Sequence, residues 1–421
     1  MTPEIKQRIE QIQQGETPDG FIKIKTDILP VDWKATPIAN CIYEYTQKTT
    51  IPNQYPVLTS SRKGLMLQTE YFASRQVTTE DNTGYNILPF GYITFRSRSD
   101  DGRFRFNQNK IIEKGIISYF YPVFSFRETV SSEFMLELLN YSIYKRMYPY
   151  IEGTAQQVLS LNKLGQLVYY LPSLSEQKKI AAILTAQGKI IELKEKRLTE
   201  KKQQKKYLIQ QLLTGRKRLP GFSEEWKATR LNNIVKRNTK RNIIRNTNVL
   251  TISAQYGLIN QAEFFNKVVA SDDKSNYFLL EKGDFAYNKS YSNGYPFGAI
   301  KRLTRYEVGI VSPLYICFQI KEGSVSGEYL DQYFEAGFMN HEIQAFAQEG
   351  ARNHGLLNIT VDDFFNSKIL LPSLEEQTAI AEILSAADHE IDLLQQDINQ
   401  EKQMKKALTQ LLLTGVVRVN L

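Results

Sequence analysis

Two stretches of the chain gather groups that form strong, directional hydrogen bonds. Phe95 to Lys110 reads FRSRSDDGRFRFNQNK, and Tyr287 to Arg302 reads YNKSYSNGYPFGAIKR. Each mixes cationic donors, carboxamides and aromatic rings, groups that recognise a partner by charge and hydrogen-bond pattern without breaking its bonds. Signs of bond-making chemistry are weak elsewhere. His341, His354 and His389 have no partner at metal-ligand spacing, so no metal is expected. Cys41 and Cys317 sit singly in IANCIY and LYICFQ, as buried free thiols in a reducing compartment do. The word Asp272-Asp273-Lys274 reads as surface charge. No GxxxxGK[ST] loop occurs, so no ATP-driven motor and no cofactor are expected. A net charge of +8 and a pI near 9.1 are compatible with a polyanionic partner.

The elements that must position these groups follow from length and pattern. A chain of 421 residues exceeds one ordinary core, so two domains of roughly 150 residues plus connectors are expected. Hydrophobic residues at 42% and charged residues at 23% describe a globular chain and exclude a largely disordered one. No apolar run approaches the roughly 18 residues of a membrane span, and MTPEIKQRIEQ is polar and helical, unlike a signal peptide. A cytoplasmic location is expected.

The chain is written twice. LPSLSEQKKIAAIL begins at Leu171 and LPSLEEQTAIAEIL at Leu371, and the match runs without a gap to Arg218 and Arg418. Upstream, Trp33 and Trp226 both open the word WKAT. Pro56 to Phe72 matches Asn248 to Phe265, and Gly115 to Phe124 matches Gly309 to Phe318. Each half is thus a globular unit followed by a segment that opens LPSL. Short β-branched and aromatic runs such as NILPFGYITF and GIVSPLYICFQI, with helical stretches such as SSEFMLELLNYSIYKRM, predict mixed α/β units built on a sheet. Strand order is not legible.

The segments after LPSL predict long helices. Apolar residues recur at steps of three and four through Ile180, Leu184, Ile191, Leu198, Leu208 and Leu212, and through Ile380, Leu384, Ile391, Leu394, Ile398, Leu408 and Leu412. Polar residues interrupt both seams, at Gln187, Lys194, Lys201 and Lys205 and at Glu401 and Lys405. Gly215 and Gly415 supply C-terminal stops. From Leu171 to Arg218 there are 13 Lys/Arg and 4 Asp/Glu, a net of +9; from Leu371 to Arg418 there are 4 and 8, a net of −4. Opposite charge favours pairing of the two helices, against the alternative that each charged face is merely solvated. Forty residues make a rod of roughly 60 Å. Arg8 to Phe21 echoes Leu208 to Phe222, which suits an approximate two-fold relation between the halves.

The doubled LPSLxEQ, the lead-ins PVDW and LPGFSEEW, and the tryptophan-marked halves together resemble the DNA specificity subunit of type I restriction-modification systems, over essentially the full length. The resemblance implies an α+β chain of two mixed α/β target recognition domains, separated by two long antiparallel helices that form an intramolecular coiled coil with pseudo-two-fold symmetry. It segments the chain into a lead-in at 1–22, recognition domains at 23–170 and 223–370, and helical segments at 171–222 and 371–421. It implies partners: double-stranded DNA, two methyltransferase subunits docked on the helices, and restriction/translocase subunits. The chain itself would perform no catalysis. In keeping with that, it lacks the Asn/Asp-Pro-Pro-aromatic word and glycine-rich cofactor loop of an adenine methyltransferase. A specificity subunit of a type IIB-like system, or a regulator reading a bipartite operator, are the alternatives.

Two domains reading different half-sites share a framework and differ in their reading loops. The halves agree near Gly64/Gly257, Tyr85/Tyr277 and Gly91/Gly283, positions assigned to packing and turns. They disagree where Ser60-Ser61-Arg62-Lys63 faces Ile252-Ser253-Ala254-Gln255-Tyr256, and in the two stretches quoted first. Arginine suits guanine, and asparagine or glutamine suits adenine, in the major groove. The DNA-binding candidates are Arg62, Lys63, Arg96, Arg98, Arg103, Arg105 and Asn107 in the first half. In the second they are Gln255, Tyr256, Asn288, Lys289, Tyr291 and Asn293, with Arg352 of the turn Ala351 to His354 in second rank.

Overall fold

Short strands that are largely buried build the same sheet in each half of the chain. In the first half, Phe106–Gln108, Ile93–Phe95, Val123–Phe126 and Ile42–Glu44 lie side by side in that order, all antiparallel. In the second half the equivalent order is Ala299–Arg302, Phe285–Asn288, Ile316–Ile320 and Val235–Arg237. The coordinates are a computed structural model that describes residues 2–71, 81–147, 157–253, 256–265, 274–292, 294–349 and 357–419.

Aromatic rings fill the inner face of each sheet. Phe95, Phe106 and Phe124 are fully buried, with centroids 4.7 to 6.4 Å apart. Phe285 stacks on Phe318 at 5.2 Å and meets Phe334 edge-on at 5.7 Å. One helix closes each core. Ser132–Met147 buries Phe134, Met135, Leu138, Leu139 and Ile143, a stripe with helical spacing. Gly327–Glu335 buries Tyr329, Leu330, Tyr333 and Phe334. Cys41 and Cys317 are free and buried, and burial pushes the Cys317 thiol up to about 12. Among the described residues no helix is long and apolar enough to cross a membrane, and no His/Cys/Asp/Glu cluster could hold a metal.

The duplicated words have structural jobs. Lys34–Pro37 and Lys227–Arg230, the strands opened by Trp33 and Trp226, pair antiparallel with Val168–Leu171 and Lys368–Leu371, the strands that run into LPSL. Ser173 and Ser373 then cap the long helices Leu174–Leu212 and Leu374–Leu413, each hydroxyl accepting the N–H three residues on at 3.3 Å. Gln177 donates to the Pro172 carbonyl at 2.9 Å and accepts the Ser131 N–H at 3.0 Å. Gln377 does the same with Pro372 and Ser326. The glutamine therefore fixes the start of the long helix against the start of the core helix.

The chain divides into two compact units, Met1–Glu195 with Asp397–Leu421, and Lys196–Gln396. Packing gives half of each long helix to the unit whose core it closes. In unit 1, Ile180 and Leu184 of one helix meet Leu412 and Leu413 of the other in a single core. In unit 2, Leu212 and Leu213 meet Ile380 and Leu384. The partners run antiparallel in each unit, as residue numbers rise on one helix and fall on the other.

Charge pairs the helices where the apolar seam is interrupted. In unit 1, Lys194 donates to Asp397 at 2.8 Å and Glu401 at 2.6 Å, while the buried Gln187 donates to the same Glu401 at 2.5 Å. In unit 2, Lys201 reaches Glu390 at 2.8 Å and Lys205 reaches Asp388 at 2.5 Å. Three lysines of the first helix, with Arg197 at 3.6 Å from Glu390, are thus answered by acids of the second. An ion clamp sits beyond each helix end. Arg418 grips Glu176 with two bonds of 2.7 and 2.8 Å and also holds Asp32 at 2.8 Å. Arg218 grips Glu376 at 2.8 and 2.7 Å. Both glutamates are almost fully buried, which explains the Glu of the repeated word.

Candidate nucleic-acid interface

In unit 1 the two stretches in which the halves disagree most converge on one cleft. The strands Leu58–Ser61 and Gly64–Leu67 form a hairpin whose tight turn carries Arg62 and Lys63, with Gly64 at φ 128. Asn107, from the second stretch, is buried and donates to Ser60 Oγ at 2.8 Å and to the Ser61 carbonyl at 2.9 Å. That strap fixes the hairpin beside residues 96 to 105 and lines a cleft of about 540 Å³.

Strand periodicity decides which side chains enter it. In Arg103-Phe104-Arg105-Phe106 the phenylalanines are buried and the arginines exposed, so the rings anchor the segment and throw the guanidiniums outward. Arg96 and Arg98 are exposed on the same rim, and the Arg98 guanidinium lies 4.3 Å over the Phe120 ring. Arg103 lies 5.7 Å over Tyr144. Lys63 is exposed at the turn.

Asp101 sits among these cations and was not singled out by sequence. Arg62 pairs with it, and the Ser99 hydroxyl at 3.0 Å and the Arg103 N–H at 3.2 Å donate to it. The Arg62 guanidinium holds its carboxyl down to about 2. Gly102 lets the turn close, because a Cβ there would strike the Gln157 side chain.

The seven candidates of unit 1 are therefore brought together, with one difference in kind. Six are exposed cations. Asn107 is a buried strap whose amide donors are spent inside the protein.

Unit 2 places its candidates less tightly. Tyr256, in the turn of the hairpin Leu250–Ser253 and Gly257–Asn260, is 57% exposed, and Tyr291 is 64% exposed. Asn288 is half-buried and its side-chain oxygen accepts the Ser290 N–H at 3.1 Å. Lys289 donates to the Ile359 carbonyl at 3.3 Å. Gln255, Asn293 and Arg352 lie outside the described residues, as do Asp272, Asp273 and His354.

The basic residues at the end of the same stretch turn inward. Lys301 is buried and pairs with Glu335 and, at 2.9 Å, with the Tyr295 hydroxyl. Arg302 pairs with Glu328 at 2.7 Å, which lowers the Glu328 carboxyl. Sequence reasoning also passed over Lys236, Arg237, Lys240, Arg241 and Arg245, all exposed. Five cations within ten residues was the available signal. Arg241 lies 4.8 Å over Phe278 in this loop.

Comparison with known proteins places these features in context. The family described as Type I restriction modification DNA specificity domain matches residues 23–203 and again 223–403. A Methanocaldococcus jannaschii protein named as the MjaX specificity subunit of a type I restriction enzyme is 24% identical over 318 residues, covering 70% of each chain. The crystal structure of a type I restriction-modification S subunit from M. genitalium aligns with a TM-score of 0.54 at 11% identity, over 96% of this chain and all of that one. A structure solved in work on complex assembly and conformational transition of the type I R-M system aligns at 0.51 and 14% identity, over 92% and 99%. At such identities these two show a shared fold.

Proposed function

We infer how this chain works from the premise that it belongs to the type I restriction modification DNA specificity family. It is a DNA-binding specificity subunit with two target recognition domains. Each domain reads one half of a bipartite, asymmetric site in double-stranded DNA. The observation that carries this is the convergence, in unit 1, of both stretches that differ between the halves onto one cleft rimmed by outward-facing cations. A shared framework with divergent, clustered hydrogen-bonding groups is what two readers of different sequences require. The strip Lys236 to Arg245 supplies phosphate contacts that position unit 2 on the duplex.

The long helices dock the methyltransferase subunits, one copy for each half of the chain. In unit 1 the outer face of the first helix carries a second apolar stripe, with Ile183 38%, Ile190 41% and Leu193 54% exposed. Its steps of seven and three suit a helical partner. Restriction/translocase subunits join that assembly, in the cytoplasm where the DNA lies. The chain supplies specificity and leaves methyl transfer to its partner. Purified alone, it should show no methyl transfer; mixed with its methyltransferase subunit it should methylate a split motif. Methylation by the isolated chain would overturn this division of labour.

Helix length sets the unread spacer between half-sites. Half-sites on one face of a duplex lie about 34 Å apart, within reach of a helix of about 60 Å. Inserting one heptad after Glu195 and one after Gln396, where the compact units meet in sequence, leaves each core intact. The expected result is a longer spacer in the methylated motif or loss of methylation. An unchanged spacer would show that helix length is not the ruler.

A further inference from the structure

We propose that unit 1 reads a half-site fixed by G·C pairs, and that unit 2 reads its half-site mainly by A·T pairs. This rests on the reading that each unit recognises one half-site.

The argument begins with the carboxylate in the unit 1 cleft. A surface built only to hold phosphate gathers cations and excludes acids, because a carboxylate repels the DNA backbone. Here Asp101 is pinned among the rim arginines by Arg62, the Ser99 hydroxyl and the Arg103 N–H. In the major groove, arginine makes two bonds to guanine O6 and N7, and a carboxylate accepts from the amino group of cytosine. Guanidinium and carboxylate side by side are complementary to the two edges of one G·C pair. Neither group matches the adenine N6–N7 edge, which needs a donor and an acceptor on one side chain, nor the thymine methyl.

Unit 2 is built the other way. Its strand Ala299–Arg302 carries Lys301 and Arg302, but the helix Gly327–Glu335 supplies Glu335 and Glu328, which pair with them. In the stretch and hairpin that correspond to the unit 1 cleft, the phenols Tyr256 and Tyr291 face outward, while the half-buried Asn288 holds the Ser290 N–H with its side-chain oxygen. An aromatic ring face packs on the thymine methyl, the group that marks an A·T pair in the major groove. The same stretch of chain thus presents guanidiniums in one unit and ties its cations to protein oxygens in the other.

The test uses the full-length chain with its methyltransferase subunit, methylating genomic DNA whose modified bases are then read by long-read sequencing. The variants are Arg62→Gln and Asp101→Asn in unit 1 and Tyr291→Ala in unit 2. All lie at exposed positions, and unchanged thermal unfolding confirms their fold. Each unit 1 variant is expected to cut discrimination at a G·C position of one half-site by roughly tenfold. The other half should stay intact, and Tyr291→Ala should relax that other half at an A·T position. If the half altered by the unit 1 variants has no fixed G·C pair, or if neither half changes, the composition proposal is overturned. If every variant blurs both halves equally, the assignment of one half-site to each unit fails as well.

Discussion

Exchange of residues 95–110 for the corresponding loop of another reader should rewrite one half of the methylated motif and leave the other half untouched. The effect is large because this segment carries Arg96, Arg98, Arg103 and Arg105, and because Asn107 also fixes the hairpin that presents Arg62 and Lys63. Each mismatched pair in a specific site costs about 1 to 3 kcal/mol, so losing several correct contacts removes the original half-site by factors on the order of a thousand or more. Long-read detection of modified bases gives the motif before and after. A motif that changes in both halves would mean that the two units do not read independently. A donor loop that lacks the Asn107 equivalent should fail altogether, since the hairpin then loses its strap.

Replacement of Arg418 by Met should destabilise unit 1 by about 3 kcal/mol, because Glu176 would be left as a buried carboxylate with no guanidinium. The figure is taken at the low end of that range, since the arginine side chain is 35% exposed. For a unit of this size the unfolding midpoint should fall by roughly 6 to 12 °C in a calorimetric scan. The double variant Arg418→Met with Glu176→Met should recover most of the loss, as an apolar pair of similar volume replaces a buried ion pair at little cost. A single variant with an unshifted midpoint would show that the clamp contributes nothing. The recognised DNA sequence should be the same in all three proteins, which separates this scaffold role from base reading.

Much of this was legible because a repeat compares the chain with itself. The seam residues Ile180, Leu184, Ile380 and Leu384 are buried as their spacing requires, and Gly64 and Gly257 occupy turns at positive φ. The Glu and Gln of LPSLxEQ could be seen to recur. Their reason could not, because each acts on a partner far along the chain: Arg418 for Glu176, Ser131 for Gln177. Asn107 looked like a reader by residue type, and burial made it a strap. Lys301 and Arg302 looked like part of a basic loop, and two glutamates from a later helix turned them inward.

Local periodicity and duplication, which depend only on order along the chain, determined the two mixed units, the two long helices and the regions where the units differ. Tertiary structure decided which of those differing residues share a cleft, which cations keep an outward charge and which carboxylate joins them. Those outcomes depend on contacts between segments tens to hundreds of residues apart. Side-chain identity alone carries no record of burial or of a distant counter-ion.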